Sequence, residues 1–177
     1  MEDKTMFNTR RSNGWFNYQM DVATLLMTDV DFFHKYINSI DPNDFNDDNC
    51  KAIISMIKNL WLEMGVRPSY PILYEWVERS IRNEFDKELE TEYLNRMRNN
   101  EMSEERKRNV LTVFPYFHTQ CCYFRLRNEI NNNGDGFYNI GQMRTAIKEV
   151  MRKARIVEES LNDLEGQIVE NKGNNVW

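Results

Sequence analysis

The chain has 177 residues, of which 41% are hydrophobic and 12% aromatic, so it can build a real core, and wholesale disorder is excluded. Its net charge of −5 gives no general attraction to nucleic acid or to an anionic membrane, and no apolar run approaches the roughly 20 residues of a membrane span. Seven glycines and four prolines are few for an all-β chain of this length, while Asn, Glu, Lys, Met and Leu are plentiful, so the fold class expected is all-α.

The opening residues, MEDKTMFNTRRSNG, are polar, lack the apolar core of a secretory signal, and are expected to form an arm over 1–19. Trp15, Phe16 and Tyr18 arrive together and are expected to dock back on the domain, since large aromatics are usually buried. A short apolar segment, Met20 to Met27, precedes Asp29, which can cap a second helix carrying Phe32, Phe33, Tyr36, Ile37 and Ile40. Asp41-Pro42-Asn43-Asp44 reads as a turn, because proline sets its own φ and pushes Asp41 out of the helical region. Phe45 follows as a lone apolar anchor.

Asp47 to Gly65 is the clearest amphipathic helix. Ala52, Ile53, Met56, Ile57, Leu60, Trp61 and Met64 recur at three- and four-residue steps, with polar residues between them. Asp47 or Asp48 suits its N-cap, Gly65 its C-terminal exit, and Pro68 its stop. The next helix opens near Ser69, a candidate cap, with Pro71 in its first turn and Ile72, Leu73, Trp76, Val77 and Ile81 as its apolar face. Residues 83–100 are expected to continue as a charged helix with the stripe Phe85, Leu89, Tyr93, Leu94 and Met97. Ser103 can cap the long segment after it, within which Pro115 either kinks one helix or starts a second. Asn131 to Gly136 is the strongest loop signal. Asn139 and Gln142 have the spacing of a capping box for a last helix that runs to about Leu164. The organisation expected is a globular helical bundle over 20–100, a helical hairpin over 103–164, and a polar tail or linker over 165–177. A two-helix hairpin cannot bury all its faces alone, so this one needs the bundle or another chain.

Catalytic chemistry is not expected, nor a cofactor or a metal. Gly136 to Gly141 has the glycine spacing of a phosphate-binding loop, but Gln142 and Met143 stand where Lys and Ser/Thr are required. His34 and His118 lie far apart without evident co-ligands. Cys121 and Cys122 are neighbours on a helix and point roughly 100° apart, so they cannot share a metal. Neither a Ser/His/Asp nor a Cys/His set has local support. With Cys50 the thiols number three, a poor disulfide framework that fits a reducing, cytoplasmic setting. On the last helix Arg144, Lys148, Arg152 and Arg155 step by four, four and three and share one face. Such a face suits nucleic acid or an acidic partner. Glu149, Glu158 and Glu159 interrupt it and no aromatic is interleaved, which favours a solvated face.

The order of these elements resembles the N-terminal domain of DnaB-type replicative helicases, phage versions above all. Leu25, Leu26, Phe33, Ile37, Phe45, Ile53, Ile54, Ile57, Gly65, Pro68 and Leu73 match that pattern in type and order. Residues 115–160 fit the hairpin that follows it, with Arg125, Asn128, Glu129 and Ile130 in the first arm. The resemblance covers roughly 20–160 and rests on hydrophobic and turn positions. It implies a non-catalytic collar module that pairs through its hairpins into a dimer or a hexameric ring. Its partners would be primase or the helicase loader, with DNA reached only through the parent helicase and no membrane involved. No Walker A lysine or strand–helix alternation accompanies these residues, a departure from the helicase pattern. Two other readings stand beside it: a stand-alone replication accessory protein (a loader, a modulator or a primase-side helicase-binding module), and a small α-helical nucleic-acid-binding protein. For the pairing surface the candidates are Phe117, Phe124, Leu126, Ile147, Val150 and Met151. They sit on helical arms with apolar residues on more than one face.

Overall fold

The computed structural model describes the backbone of residues 13–132 and 139–173, and the side chains of 17–132 and 139–170. Among the described residues the structure is all-helical, without a strand. It comprises α1 (Asn13–Thr28), α2 (Val30–Tyr36), a 3-10 turn (Pro42–Asp44), α3 (Asp48–Met64), α4 (Tyr70–Ser80), α5 (Glu84–Arg98), α6 (Glu104–Asn132) and α7 (Ile140–Gly173). The chain divides into two compact units, Met1–Val110 and Leu111–Trp177.

The first unit is a bundle built on α3, whose Cys50, Ile53, Ile54, Met56, Ile57 and Leu60 are all buried. Fully burying an aliphatic side chain stabilises by about 1.5–3 kcal/mol, so this helix supplies much of the cohesion of the unit. Ala52 and Trp61 are only half-buried and Met64 is exposed, so the buried face is turned toward Ile54 relative to the expected stripe. Asp47 caps the helix, accepting hydrogen bonds from the Asn49 and Cys50 amides at 3.0 and 3.4 Å. Gly65 ends it at φ 67°, the left-handed conformation that glycine adopts without a Cβ penalty. Around α3 close Leu25 and Leu26 of α1, Phe33 of α2, Phe45 of the connecting turn, Leu73 and Val77 of α4, and Leu94 and Met97 of α5, all buried. Asp29 caps α2 through the Phe32 amide, chiefly for which its carboxyl is held below the usual range.

Polar side chains fix how these helices join. The buried Gln19 amide oxygen accepts from the backbone of Asn46 and Asp47 at 2.8 and 3.1 Å, tying α1 to the start of α3. The buried Asp21 accepts from both the Nε and Nη2 groups of Arg106 and from Asn100, and Lys107 pairs with Asp29 at 3.4 Å. An aspartate buried without such donors would be strongly destabilising, so the first turns of α6 are held to the bundle.

Several boundaries therefore differ from expectation. Helix α1 starts at Asn13, so part of the expected 1–19 arm is helical and Gln19 is core; residues 1–12 and the side chains of Trp15 and Phe16 lie outside the described residues. The bundle does not end near residue 100 but reaches Val110, because Arg106 and Lys107 anchor to α1 and to the cap of α2. The charged segment is separate from α4: Ile81 ends one helix and Asn83 caps the next through the Phe85 amide at 2.9 Å. Ser69 precedes α4 without a side-chain capping bond. The stripe of α5 is also turned, with Glu90, Tyr93, Leu94 and Met97 buried while Phe85 and Leu89 are exposed.

The second unit is a hairpin. Helix α6 continues through Pro115 as one helix of 29 residues, about 44 Å long at 1.5 Å per residue. Proline has no N–H, so the carbonyl of Leu111 loses its helical partner, and the boundary between units falls at that turn. Helix α7 has 34 residues and extends to Gly173, so most of the expected tail over 165–177 is helix. The Asn139 carboxamide caps it through the Gln142 amide at 2.9 Å, as its sequence spacing indicated. Lys153 of α7 forms an ion pair with Glu129 of α6, which joins the two arms. The expected loop has Asn131 and Asn132 inside α6, and residues 133–138 lie outside the described residues.

Candidate assembly surface and acidic pocket

The hairpin distributes its apolar side chains over two faces. Phe114, Phe117 and Cys122 of α6 and Val157 and Leu164 of α7 are buried. Other large apolar side chains remain in solvent: Leu111, Val113, Tyr116, Tyr123, Phe124 and Ile130 on α6, and Ile140, Met143, Ile147, Met151 and Leu161 on α7. Ile140, Met143, Ile147, Val150, Ala154, Val157, Leu161, Leu164 and Ile168 of α7 alternate steps of three and four, the 3.5-residue repeat of a coiled-coil seam. The rows of that seam have different fates: Val157 and Leu164 are buried, while Ile147 is 57% exposed and Leu161 49%.

Of the residues expected to pair, Phe124, Ile147 and Met151 are exposed, and Leu126 and Val150 are half-buried. Phe117 does not belong to a free surface. It is only 8% exposed, with its ring 6.0 Å from that of the buried Phe114. Helical periodicity does not separate the two, since Phe124 follows Phe117 by seven and lies only about 20° from it around the axis; what differs is the packing at the two levels of α6.

Arg144, Lys148, Arg152 and Arg155 are all exposed on α7. Arg152 is engaged: its Nε and Nη2 groups donate to the two oxygens of Glu149 at 3.0 and 2.6 Å. That fork, helped by Lys153, lowers the Glu149 carboxyl to about 2. The basic face is thus partly neutralised by its own helix.

Comparisons with protein-family models, curated proteins and solved structures find no match.

One pairing was not expected. His118 and Cys122 stand one helical turn apart, with Nε2 3.5 Å from Sγ, and Arg125 donates to the same sulfur at 3.1 Å. Both the histidine and the thiol are buried, with Phe114 stacked on the imidazole at 5.7 Å. The i, i+4 spacing was the available signal. Arg125, the third member of the group, is half-buried. His34 instead is exposed and edge-on to Phe33 and Trp61. Among the described residues no cluster of three or more His, Cys, Asp or Glu is placed to hold a metal. Of the phosphate-loop-like spacing, Gly136 to Tyr138 lie outside the described residues, and Gly141 is in the first turn of α7. No described helix is long and apolar enough to cross a membrane.

The bundle carries a cavity of about 490 Å³ lined by α3, α4, α5 and the α4–α5 link. Its lining combines the apolar side chains Ala52, Met56, Trp76, Ile81 and Leu89 with the carboxylates Asp48, Asp86 and Glu90. Glu90 is the buried member of that set, and burial, then Asp47 and Asp86, push its carboxyl from 4.5 to about 7. The sequence does not single out Glu90, one acid within the charged segment 83–100. The signal that identifies it is its spacing from Tyr93, Leu94 and Met97, which puts it on the buried stripe of α5.

Proposed function

We propose that the chain is a non-catalytic assembly and docking module, of the kind that forms the collar of a DnaB-type replicative helicase, and that it self-associates through the α6–α7 hairpin. The observation that carries the reading is the exposed apolar surface on both arms, with Tyr123, Phe124, Ile147 and Met151 all at least 44% exposed. Monomers rarely leave such surfaces uncovered. At about 1.5–3 kcal/mol per large side chain buried, three or four contacts from each protomer are enough for a dimer at micromolar concentration. The replication assignment is supported by the resemblance described above, whose matching apolar positions, Leu25, Leu26, Phe33, Ile37, Phe45, Ile53, Ile54, Ile57 and Leu73, are core residues of the bundle.

Binding to the purified primase and helicase loader of the same source tests that assignment. A micromolar complex with one of them that survives moderate salt is expected. Failure with both overturns the collar reading while leaving self-association standing. A stand-alone accessory protein has the same surfaces and is distinguished by binding an intact helicase ring as a separate subunit. The nucleic-acid reading draws on Arg144, Lys148 and Arg155, which are exposed and, among the described residues, outside any ion pair. It requires binding to single-stranded DNA that weakens steeply with salt.

A further inference from the structure

We propose that the cavity between α3, α4 and α5 is a docking site for an arginine side chain of a partner protein, held by Asp48, Asp86 and Glu90 against the walls formed by Met56, Trp76 and Leu89. The choice of a protein as the source of that side chain rests on the docking reading above; the chemistry of the site does not.

Three features of the cavity point to a guanidinium. Its volume of about 490 Å³ falls among ligand pockets, and its polar lining holds three carboxylates with Asn49 and Ser55 and no cation. The basic neighbours in sequence are engaged at the margin: Lys51 reaches the outer carboxylate of Asp48 at 3.5 Å, and Lys87 pairs with Glu84 at 3.1 Å and Glu78 at 3.5 Å. Glu90 is 8% exposed and its Oε2 has no hydrogen-bond partner. A buried carboxylate oxygen without a donor is costly, and an entering cation with N–H groups relieves that cost. Arginine suits the site better than lysine because its planar fork offers five donors, enough for more than one carboxylate, while its face stacks on an indole such as that of the half-buried Trp76. Its aliphatic stem covers the Met56 and Leu89 side of the lining.

The groups facing Glu90 set the pH dependence. From α3 and its N-cap come Asp47, Asp48 and Cys50, from α5 comes Asp86, and α4 contributes Trp76 to the lining without a charge. Burial pushes the Cys50 thiol up to about 12, so it stays neutral and does not compete. Glu90 therefore exchanges its proton for the incoming cation, and binding strengthens as pH rises through neutrality.

The test uses the whole chain, with N-acetyl-arginine N-methylamide as the probe and its citrulline and lysine counterparts as controls. The indole N–H resonance of Trp76 is followed by NMR. A saturable shift of that resonance is expected with the arginine probe, weakening at least tenfold in citrulline, which has the shape without the charge. Glu90→Gln should weaken the arginine probe by tenfold or more, and the exposed Asp86→Asn severalfold without disturbing the core. Ile147→Asp on the hairpin should change nothing here, which separates failure of this site from failure of the assembly surface. Equal binding of citrulline, unchanged affinity in both acidic variants, or shifts centred away from Trp76 would overturn the site. Tighter binding of the lysine probe would overturn the choice of arginine.

Discussion

In the bundle, α3 turns Ile53, Ile54, Ile57 and Leu60 inward and finishes with a capping aspartate and a left-handed glycine. In the hairpin, α7 is twice as long, buries Val157 and Leu164, and leaves Ile147, Met151 and Leu161 in solvent. The two regions spend similar apolar residues on different ends. The bundle is closed by local signals, since each of its short helices has neighbours on several sides. The hairpin arms have fewer helical neighbours, and a row of large side chains stays outside. What the contrast teaches is that apolar content alone does not separate a core from a contact surface; the number of faces that a helix can cover within its own unit does.

The comparison breaks most sharply at the centre of α3. Ile54 is fully buried, and Ile54→Ala should destabilise the bundle by about 2–5 kcal/mol through lost burial and a cavity. Urea unfolding followed by far-UV circular dichroism reads this loss. An effect below about 1 kcal/mol would mean that α3 is not the organising helix.

Glu90 gives the next largest effect, and its sign is opposite. Its folded pKa of about 7 lies above the ordinary 4.5, so between those values the folded chain holds the extra proton. Stability contributed by that proton is full below the ordinary value, falls as pH rises through the window, and is gone above it. Glu90→Gln removes the ionisation and should stabilise the ligand-free chain by about 2 kcal/mol at about pH 8, with no gain at about pH 4. Thermal melts at the two pH values check it. A loss of stability at alkaline pH would show that the carboxylate is already satisfied.

The cap of α3 should matter less. Asp47→Ala removes the acceptor for the Asn49 and Cys50 amides and should cost about 1 kcal/mol, with Asp47→Ser recovering most of it. The same urea titration measures both variants, and an unchanged midpoint in the alanine variant would assign the capping role elsewhere.

These magnitudes follow what the sequence made legible. Asp47, Gly65 and the stripe of α3 are read from local spacing, because capping and helical period act within one turn. The link at Ile81–Asn83 was not legible as a break: it has neither proline nor glycine, and only Asn83 ahead of Glu84 and Asp86 hints at a new N-terminus. The limit of the bundle was hidden for a different reason. The Asp21–Arg106 pair spans 85 residues, and no periodicity reports on a partner that far away. Phe117 and Phe124 looked alike because their part of α6 is rich in large side chains all round, and only packing distinguishes the inward ring from the outward one. Glu90 was concealed by composition, as one acid among Glu84, Asp86, Glu88 and Glu92, although its phase with Tyr93 and Met97 marked it.

At the outer face of the hairpin the effect on folding should be the smallest of the series. Ile147 is 57% exposed and Phe124 44%, so replacing both with aspartate should change bundle stability by less than about 0.5 kcal/mol. Leu126 is a poorer choice for the same purpose, because it is half-buried and its loss would also disturb the hairpin.

Sedimentation equilibrium of the whole chain, wild type beside the Phe124→Asp, Ile147→Asp double variant, is the most direct measurement of the central claim. A wild-type dimer or larger assembly is expected at micromolar concentration, beside a monomeric double variant with the same helical circular dichroism and the same urea midpoint. A wild-type chain that stays monomeric at the highest soluble concentration, or a double variant that assembles as well as the wild type, would contradict that claim.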